Sequence, residues 1–385
     1  MKTYTRKPKE TKPVVAICYD FDKTLSPDDM QAQGFIQSVG FDIDKFWQES
    51  NGLAEQNDMD QNLAYMFTMM KTAHGNLVFN IKTLHDYGAK VTLFPGVDTW
   101  FKRIRKYGDE KGVIVEHYII SSGLKEMIEG TSVAPEFEKI YASSFYYDDA
   151  GVAQWPAQVV NFTNKTQFLF RIEKGVLEVN DPGINDYFAP EDIRVPFRNM
   201  VYIGDSDTDV PCMKLVNSYG GHSIGVYNSE TNNKSKVYKM MHDNRIKYFA
   251  PADYSENAQL DNLVKAIIDR TVSNEALESI HYENKKEFER NNDLISTEQK
   301  EKRNLIISLE NSSSFAATHT IIAQLIKYDS WTDPEKDWLI DIADSNSQVW
   351  SILGDVDVKN FYKSVLAGMQ PQSDKVAKIK EKTGN

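Results

Sequence analysis

Val14-Val15-Ala16-Ile17-Cys18-Tyr19-Asp20-Phe21-Asp22-Lys23-Thr24-Leu25 is the stretch whose reading decides the fold. Its apolar, β-branched start reads as a strand buried on both faces, the pattern of a central parallel strand. The run stops at two aspartates one residue apart, followed by threonine. In open α/β sheets the chemistry lies at the carboxyl ends of the strands. Two carboxylates there are not core filler, because a buried unpaired charge is too costly. They point to a metal site, a nucleophile, or both.

Outward from that strand the chain reads as α/β. From Met30 to about Lys90, apolar residues such as Phe35, Phe46, Leu63, Phe67, Met70 and Leu84 recur at helical spacing, which predicts an inserted helical cap over residues 28–90. Alternation of strands and helices returns at Phe94-Pro95-Gly96. A strand from Val113 to Ile120 ends in Ser121-Ser122-Gly123, small residues whose hydroxyl and N–H groups suit an oxyanion. Ile140 to Asn161 reads as strand, turn and strand, and Asn164-Lys165-Thr166 opens a helix. Met200 to Ile203 runs as a strand into Gly204-Asp205-Ser206-Asp207-Thr208-Asp209. A helix from about Asn257 to Thr271 is expected to close this domain.

The expected architecture is a doubly wound parallel-sheet core of residues 14–27 and 91–271, the cap of 28–90, a solvated lysine-rich tail of 1–13, and an α-helical appendage of 272–385. Within the appendage, the end from Pro371 reads as a polar tail.

The chain has 385 residues, 41% hydrophobic, 11% aromatic and 26% charged, enough apolar material for a large core. With 56 acidic against 44 basic residues the net charge is −12, which disfavours an extended nucleic-acid interface. Met1 to Pro13 carries no apolar signal segment, and no apolar run spans a bilayer. With only Cys18 and Cys212 there is no disulfide framework, so a reducing cytoplasm is the expected setting.

Parallel-sheet topology brings Asp20/Asp22/Thr24, Ser121, Lys165 and Asp205/Asp209 to one edge. Together they offer what phosphoryl transfer from a monoester needs. A carboxylate can attack phosphorus, and a second carboxyl can protonate the leaving alkoxide and later deprotonate water. Hydroxyl, backbone N–H and ammonium groups can hold phosphoryl oxygens. Further carboxylates can hold Mg²⁺, a hard oxygen-seeking ion. Taken singly, a serine at a strand end is usually a turn residue, and a lysine at a helix start is usually solvated. Lys174 competes with Lys165, Asp207 reads as a loop carboxylate, and His117 and His222 read as structural.

In order and spacing these residues resemble the haloacid dehalogenase superfamily, in its aspartate-nucleophile branch of phosphoserine-phosphatase-like enzymes with a helical (C1-type) cap. The family's D-x-D-x-T motif stands as Asp20-Phe21-Asp22-Lys23-Thr24, and its fourth motif as Gly204-Asp205-Ser206-Asp207-Thr208-Asp209. The resemblance implies that Asp20 is the nucleophile and a metal ligand, and that Asp22 is the acid/base, with its backbone carbonyl on the metal. Thr24 would brace the loop. Ser121 and Lys165 would act in catalysis and, with Ser122 and Gly123, bind the phosphoryl group. Asp205 would ligate Mg²⁺, and Asp209 would contact a metal water or Lys165.

Dehalogenases of the family lack the second aspartate, so Asp22 favours ester cleavage; none of Lys71, Lys82 and Lys90 is marked as the Schiff base of the phosphonate-cleaving branch. A helical cap implies a small phosphorylated metabolite as substrate. The alternatives are a phosphotransferase or mutase, or a phosphatase-like interaction protein whose C-terminal helices bind a protein partner. The resemblance covers about Val14 to Thr271 and is silent beyond.

Overall fold

Val14–Tyr19 forms β1, and all six residues are buried. In this computed structural model, which describes residues 3–293, 297–367 and 374–384, β1 lies near the middle of a seven-stranded sheet. The other strands are β2 (Ile114–Leu124), β3 (Lys139–Tyr147), β4 (Ala153–Gln158), β5 (Met200–Gly204), β6 (His222–Tyr227) and β7 (Tyr248–Pro251). Their order is β4-β3-β2-β1-β5-β6-β7, parallel throughout except for the antiparallel β3–β4 hairpin. Ile17 stands beside His117 on β2 and Val201 on β5.

The unbroken apolar run of β1 follows from burial on both faces. Val15, Ile17 and Tyr19 join one core cluster, with Trp100, Phe101 and Ile104 of the helix Val97–Glu110. Val14, Ala16 and Cys18 join the other, with Phe168, Leu169 and Ile172 of the helix Thr166–Lys174 and Cys212, Met213 and Val216 of the helix Val210–Ser218. The chain leaves β1 for β2, β3 and β4 on one side, then returns to β5 on the other. This places a crevice at the carboxyl end of β1.

Between β1 and the helix Val97–Glu110 lie the helices Ile43–Gln56, Gln61–Ala73 and Ile81–Gly88, capped by Asp42, Asp60 and Asn80 side chains that accept first-turn N–H groups. Phe46, Met66 and Met69 bury their apolar faces in the same cluster as β1. The cap's last connection meets the hairpin tip, where Ala153 N–H donates to Phe79 O at 2.9 Å and Ile81 N–H to Gly151 O at 3.2 Å.

The start of the chain departs from a solvated tail. Lys7 N–H donates to Gly175 O at 2.9 Å, and Arg6 pairs with Asp181 at 2.8 Å, so ion pairs hold a segment that composition alone leaves in water. The domain-closing helix, Gln259–Asp293, runs well past Thr271. Its continuation, Glu-Ala-Leu-Glu and onward, is rich in helix formers and contains no breaker.

By contacts the chain divides into Met1–Ser279 and Ile280–Asn385. The second unit has its own core, with Ile306, Leu309, Ile322, Leu325, Leu339 and Tyr362 fully buried. Of the expected polar end, Pro371 to Ser373 and Asn385 lie outside the described residues, while Asp374–Thr383 is a helix. Val376, Ile379 and Thr383 recur on one buried face of it, a period that outweighs the lysines around them. Among the described residues no helix is long and apolar enough to cross a membrane.

Candidate active site

The loop after β1 is fixed by backbone bonds. Asp20 N–H donates to Ile203 O of β5 at 3.0 Å, and the N–H groups of Thr24, Leu25 and Ser26 all donate to Phe21 O. Lys23 takes a left-handed φ of 59° in this turn. Thr24 is fully buried, and its carbonyl accepts the Tyr254 hydroxyl at 2.9 Å. The two aspartates diverge as a result. Asp20 turns in toward the sheet edge, while Asp22 Oδ1 accepts Met30 N–H at 2.8 Å at the foot of the cap.

Lys165 stands at the start of its helix, fully buried, with Nζ 2.8 Å from Asp209 Oδ1 and 3.3 Å from Asp20 Oδ1. Lys174 is elsewhere and donates to Ile184 O and Asp186 O, both at 2.8 Å. Asp209 Oδ1 also accepts the Tyr202 hydroxyl at 2.9 Å, and its Oδ2 accepts Ser206 N–H and Oγ–H in a capping box. A Cβ at Gly204 would sit 2.5 Å from Asp209 Oδ2, so only glycine lets this carboxylate reach the lysine. Carboxylate oxygens of Asp20, Asp205 and Asp209 lie within 4.8 Å of one another. β2 runs on to Leu124 rather than stopping at Ile120, with its register shifted after Ile120. Within that irregular last part Ser121 is buried, and its Oγ accepts Gly123 N–H at 3.1 Å. The side chain of Asp22 is not in the carboxylate cluster, and Asp207 is exposed.

The charges are crowded. Burial pushes Asp20 up to about 6; Asp209 adds to this, while Lys165, Phe21 N–H and the Ser121 hydroxyl oppose it. Burial, with Asp209 and Asp20 nearby, takes Asp205 up to about 8. Asp22 is held well above the carboxylate range by burial and by Asp29 and Asp20. Burial pulls the Lys165 ammonium down, but Asp20 and Asp209 outweigh it and leave it raised. Asp20 Oδ1 is buried without a hydrogen-bond partner. His117 is neutral in the core, pushed by burial to about 3, with Nδ1 2.9 Å from the Tyr19 hydroxyl.

Sequence reasoning missed Tyr202, which braces Asp209, because a tyrosine inside an apolar strand reads as core. It also missed Tyr65, whose hydroxyl donates from the cap to Ser122 O at 2.8 Å. Nothing in the cap's run of aromatic residues marks that one as reaching the site.

A family model described as haloacid dehalogenase-like hydrolase matches residues 17–214, about half of the chain. An uncharacterized protein of Borreliella burgdorferi is 29% identical over 282 residues, which is 66% of this chain and 96% of that one. Among solved structures, a HAD-family hydrolase of Salmonella enterica serovar Typhi is similar with a TM-score of 0.44 and 16% identity, over 67% of this chain and 73% of its own. A probable phosphoserine phosphatase from Vibrio cholerae is similar with a TM-score of 0.43 and 12% identity, over 70% of this chain and 68% of its own.

Proposed function

Because this chain belongs to the haloacid dehalogenase-like hydrolase family, we propose that it is a Mg²⁺-dependent phosphomonoesterase acting through an aspartyl phosphate on a small phosphorylated metabolite. The observation that carries this reading is the divergence of Asp20 and Asp22. Asp20 stands beside Lys165, its Oδ1 3.3 Å from the ammonium and without a hydrogen bond, whereas Asp22 is a separate buried carboxyl held well above its ordinary range. A carboxylate beside a buried ammonium suits the nucleophile, and a buried carboxyl away from that ammonium suits the acid.

Asp20 then attacks phosphorus, and the ester oxygen leaves with the proton of Asp22 as an alcohol. Asp22, now a carboxylate, takes a proton from water. The resulting hydroxide attacks the phosphorus, releasing inorganic phosphate and restoring Asp20. The Ser121 hydroxyl and the Lys165 ammonium hold phosphoryl oxygens, and Ser122 and Gly123 shape the loop around them. Three buried carboxylates, with Asp20 Oδ1 accepting no hydrogen bond, form a hard-donor set that fits a divalent cation, with Asp20 and Asp205 as ligands, Asp209 behind them, and the Asp22 carbonyl as a further donor. When bound, Mg²⁺ supplies positive charge that screens the carboxylates from an anionic substrate. Met30 and Tyr65 reach the site's loops from the cap segment, which favours a substrate small enough to be covered.

A panel of phosphorylated sugars, nucleotides, amino acids and cofactors, assayed for phosphate with Mg²⁺ and with chelator, tests the proposal. Release from at least one class, lost on chelation, is expected. No release across the panel, or release indifferent to chelation, would contradict it.

A further inference from the structure

The cap helix Gln61–Ala73 touches two site segments within its first two turns: the last part of β2 and the loop before Lys165. Tyr65 is buried, with its ring edge-on to Trp47 at 6.1 Å between centroids, and its hydroxyl donates to Ser122 O at 2.8 Å. The Ser143 hydroxyl donates to the same carbonyl at 3.1 Å. In a trans peptide the carbonyl and the following N–H point opposite ways. With Ser122 O drawn toward Tyr65 and Ser143, Gly123 N–H faces back and donates to Ser121 Oγ at 3.1 Å. A hydroxyl oxygen that accepts there keeps its own hydrogen for another acceptor. The peptide between Ser122 and Gly123 thus links a cap hydroxyl to the Ser121 hydroxyl near the end of β2.

The same helix end is tied to the loop that carries Lys165. Asp60 Oδ2 accepts Asn161 Nδ2–H at 2.6 Å, and Asn62 Nδ2–H donates to Val160 O at 2.7 Å. Asn161 O in turn accepts Lys165 N–H at 3.0 Å. Seating this one helix end therefore sets both segments that offer donors to a phosphoryl group.

We propose that Tyr65 is a positioning residue: it fixes the Ser122–Gly123 peptide and, through it, the Ser121 hydroxyl, so that phosphoryl binding is complete only with the cap helix seated. This rests on the reading of Ser121 as a phosphoryl ligand. Tyr65 touches no reacting atom, and its influence passes through one peptide plane that also polarises along the hydrogen-bonded chain.

Tyr65→Phe keeps the ring against Trp47 and removes only the hydroxyl. In the full-length enzyme, kcat for an aryl phosphate should fall about 5- to 10-fold, the scale of one neutral hydrogen bond, with KM changed less than about twofold. In a Ser121→Ala background the same change should cost less than about twofold, because the group it positions is gone. Equal losses in both backgrounds, or no loss in the wild type, would overturn the proposal.

Amide exchange of Gly123, read on the resting protein, separates this from the proposed activity. Both Tyr65→Phe and Ser143→Ala should speed it, whether or not any phosphomonoester is hydrolysed. Unchanged Gly123 exchange in both variants would overturn the proposal even in an active enzyme, and absent turnover with faster exchange would remove the phosphatase reading and the phosphoryl-binding part of the proposal while leaving the peptide link in place.

Discussion

Two buried charge clusters sit on the same sheet and behave in opposite ways. Near the start of β2, Glu116 takes both guanidinium nitrogens of Arg194 at 2.7 Å, Lys7 Nζ at 2.7 Å and the Tyr118 hydroxyl at 2.7 Å. Burial would raise this carboxylate, but Arg194, Lys7 and Tyr118 outweigh it and bring it down to about 2. At the other end of the strands, Asp20 and Asp209 share the buried Lys165 ammonium. Among the described residues Asp205 meets only Lys236 Nζ, at 3.8 Å, and Asp20 and Asp205 are raised to about 6 and about 8. Burial alone does not separate a structural charge from a working one; the number of partners per oxygen does. Glu116 has its charge cancelled by the fold, as Asp209 has by Lys165, Tyr202 and Ser206, whereas Asp20 and Asp205 are left with fewer partners.

The largest expected effect lies at the crowded end. Asp20→Asn should lower phosphomonoester turnover by about a thousandfold or more, because the attacking oxygen is lost. Its melting temperature should hold or rise, since a repelled charge goes with it. Activity near wild type in pure mutant protein would break the contrast at its functional side.

Glu116→Gln should do the reverse. Removing one partner of a buried, fully bonded pair costs about 3 kcal/mol, read as a lower urea midpoint, while turnover per folded molecule stays within about twofold. If Asp205→Asn lost as much stability as Glu116→Gln, the two clusters would not differ in kind.

Acid should sharpen the contrast further. Glu116 has a folded pKa of about 2, below the ordinary 4.5 of the unfolded chain. Its contribution is therefore present above that ordinary value and is lost as pH falls from about 4.5 toward 2. The melting temperature of the wild type should fall more steeply over that window than that of Glu116→Gln, and parallel curves would remove Glu116 from the account.

The smallest effect belongs to a half-exposed pair in the second unit. There His319 Nδ1 meets Asp357 at 2.8 Å, and Nε2 meets Asp355 at 3.2 Å. The hydrogen bond to Asp357 raises this histidine, aided by Asp355, so its stabilisation is full below the ordinary value of 6.5 and fades as pH rises through the raised one. Solvent screening keeps this under about 1 kcal/mol. His319→Gln should flatten that slope in the unfolding of Ile280–Asn385. A steeper slope in the variant would mean that other groups dominate.

How far each cluster was legible in the sequence follows from how it is built. Asp20, Ser121 and Asp205 stand directly after apolar runs, so sheet topology alone puts them at one edge. Lys165 needed the order of the motifs, because a helix-start lysine has no local mark of burial. Glu116 and Arg194 are 78 residues apart and meet through register, which no local pattern records. The same holds for Tyr65, one aromatic among several in the cap, and for Arg6 and Lys7, which composition alone placed in water. The helix through Val272 was misjudged at its end because a change from apolar to charged residues marks exposure, not a break.

The central claim is that Asp20 carries the phosphoryl group. Full-length enzyme quenched during turnover, reduced with borohydride and mapped by peptide mass spectrometry tests it, since an aspartyl phosphate is reduced to homoserine with loss of phosphate. The account predicts homoserine at position 20, present with substrate and absent in Asp20→Asn. Robust turnover with an unmodified Asp20, or homoserine at Asp22 instead, would contradict it.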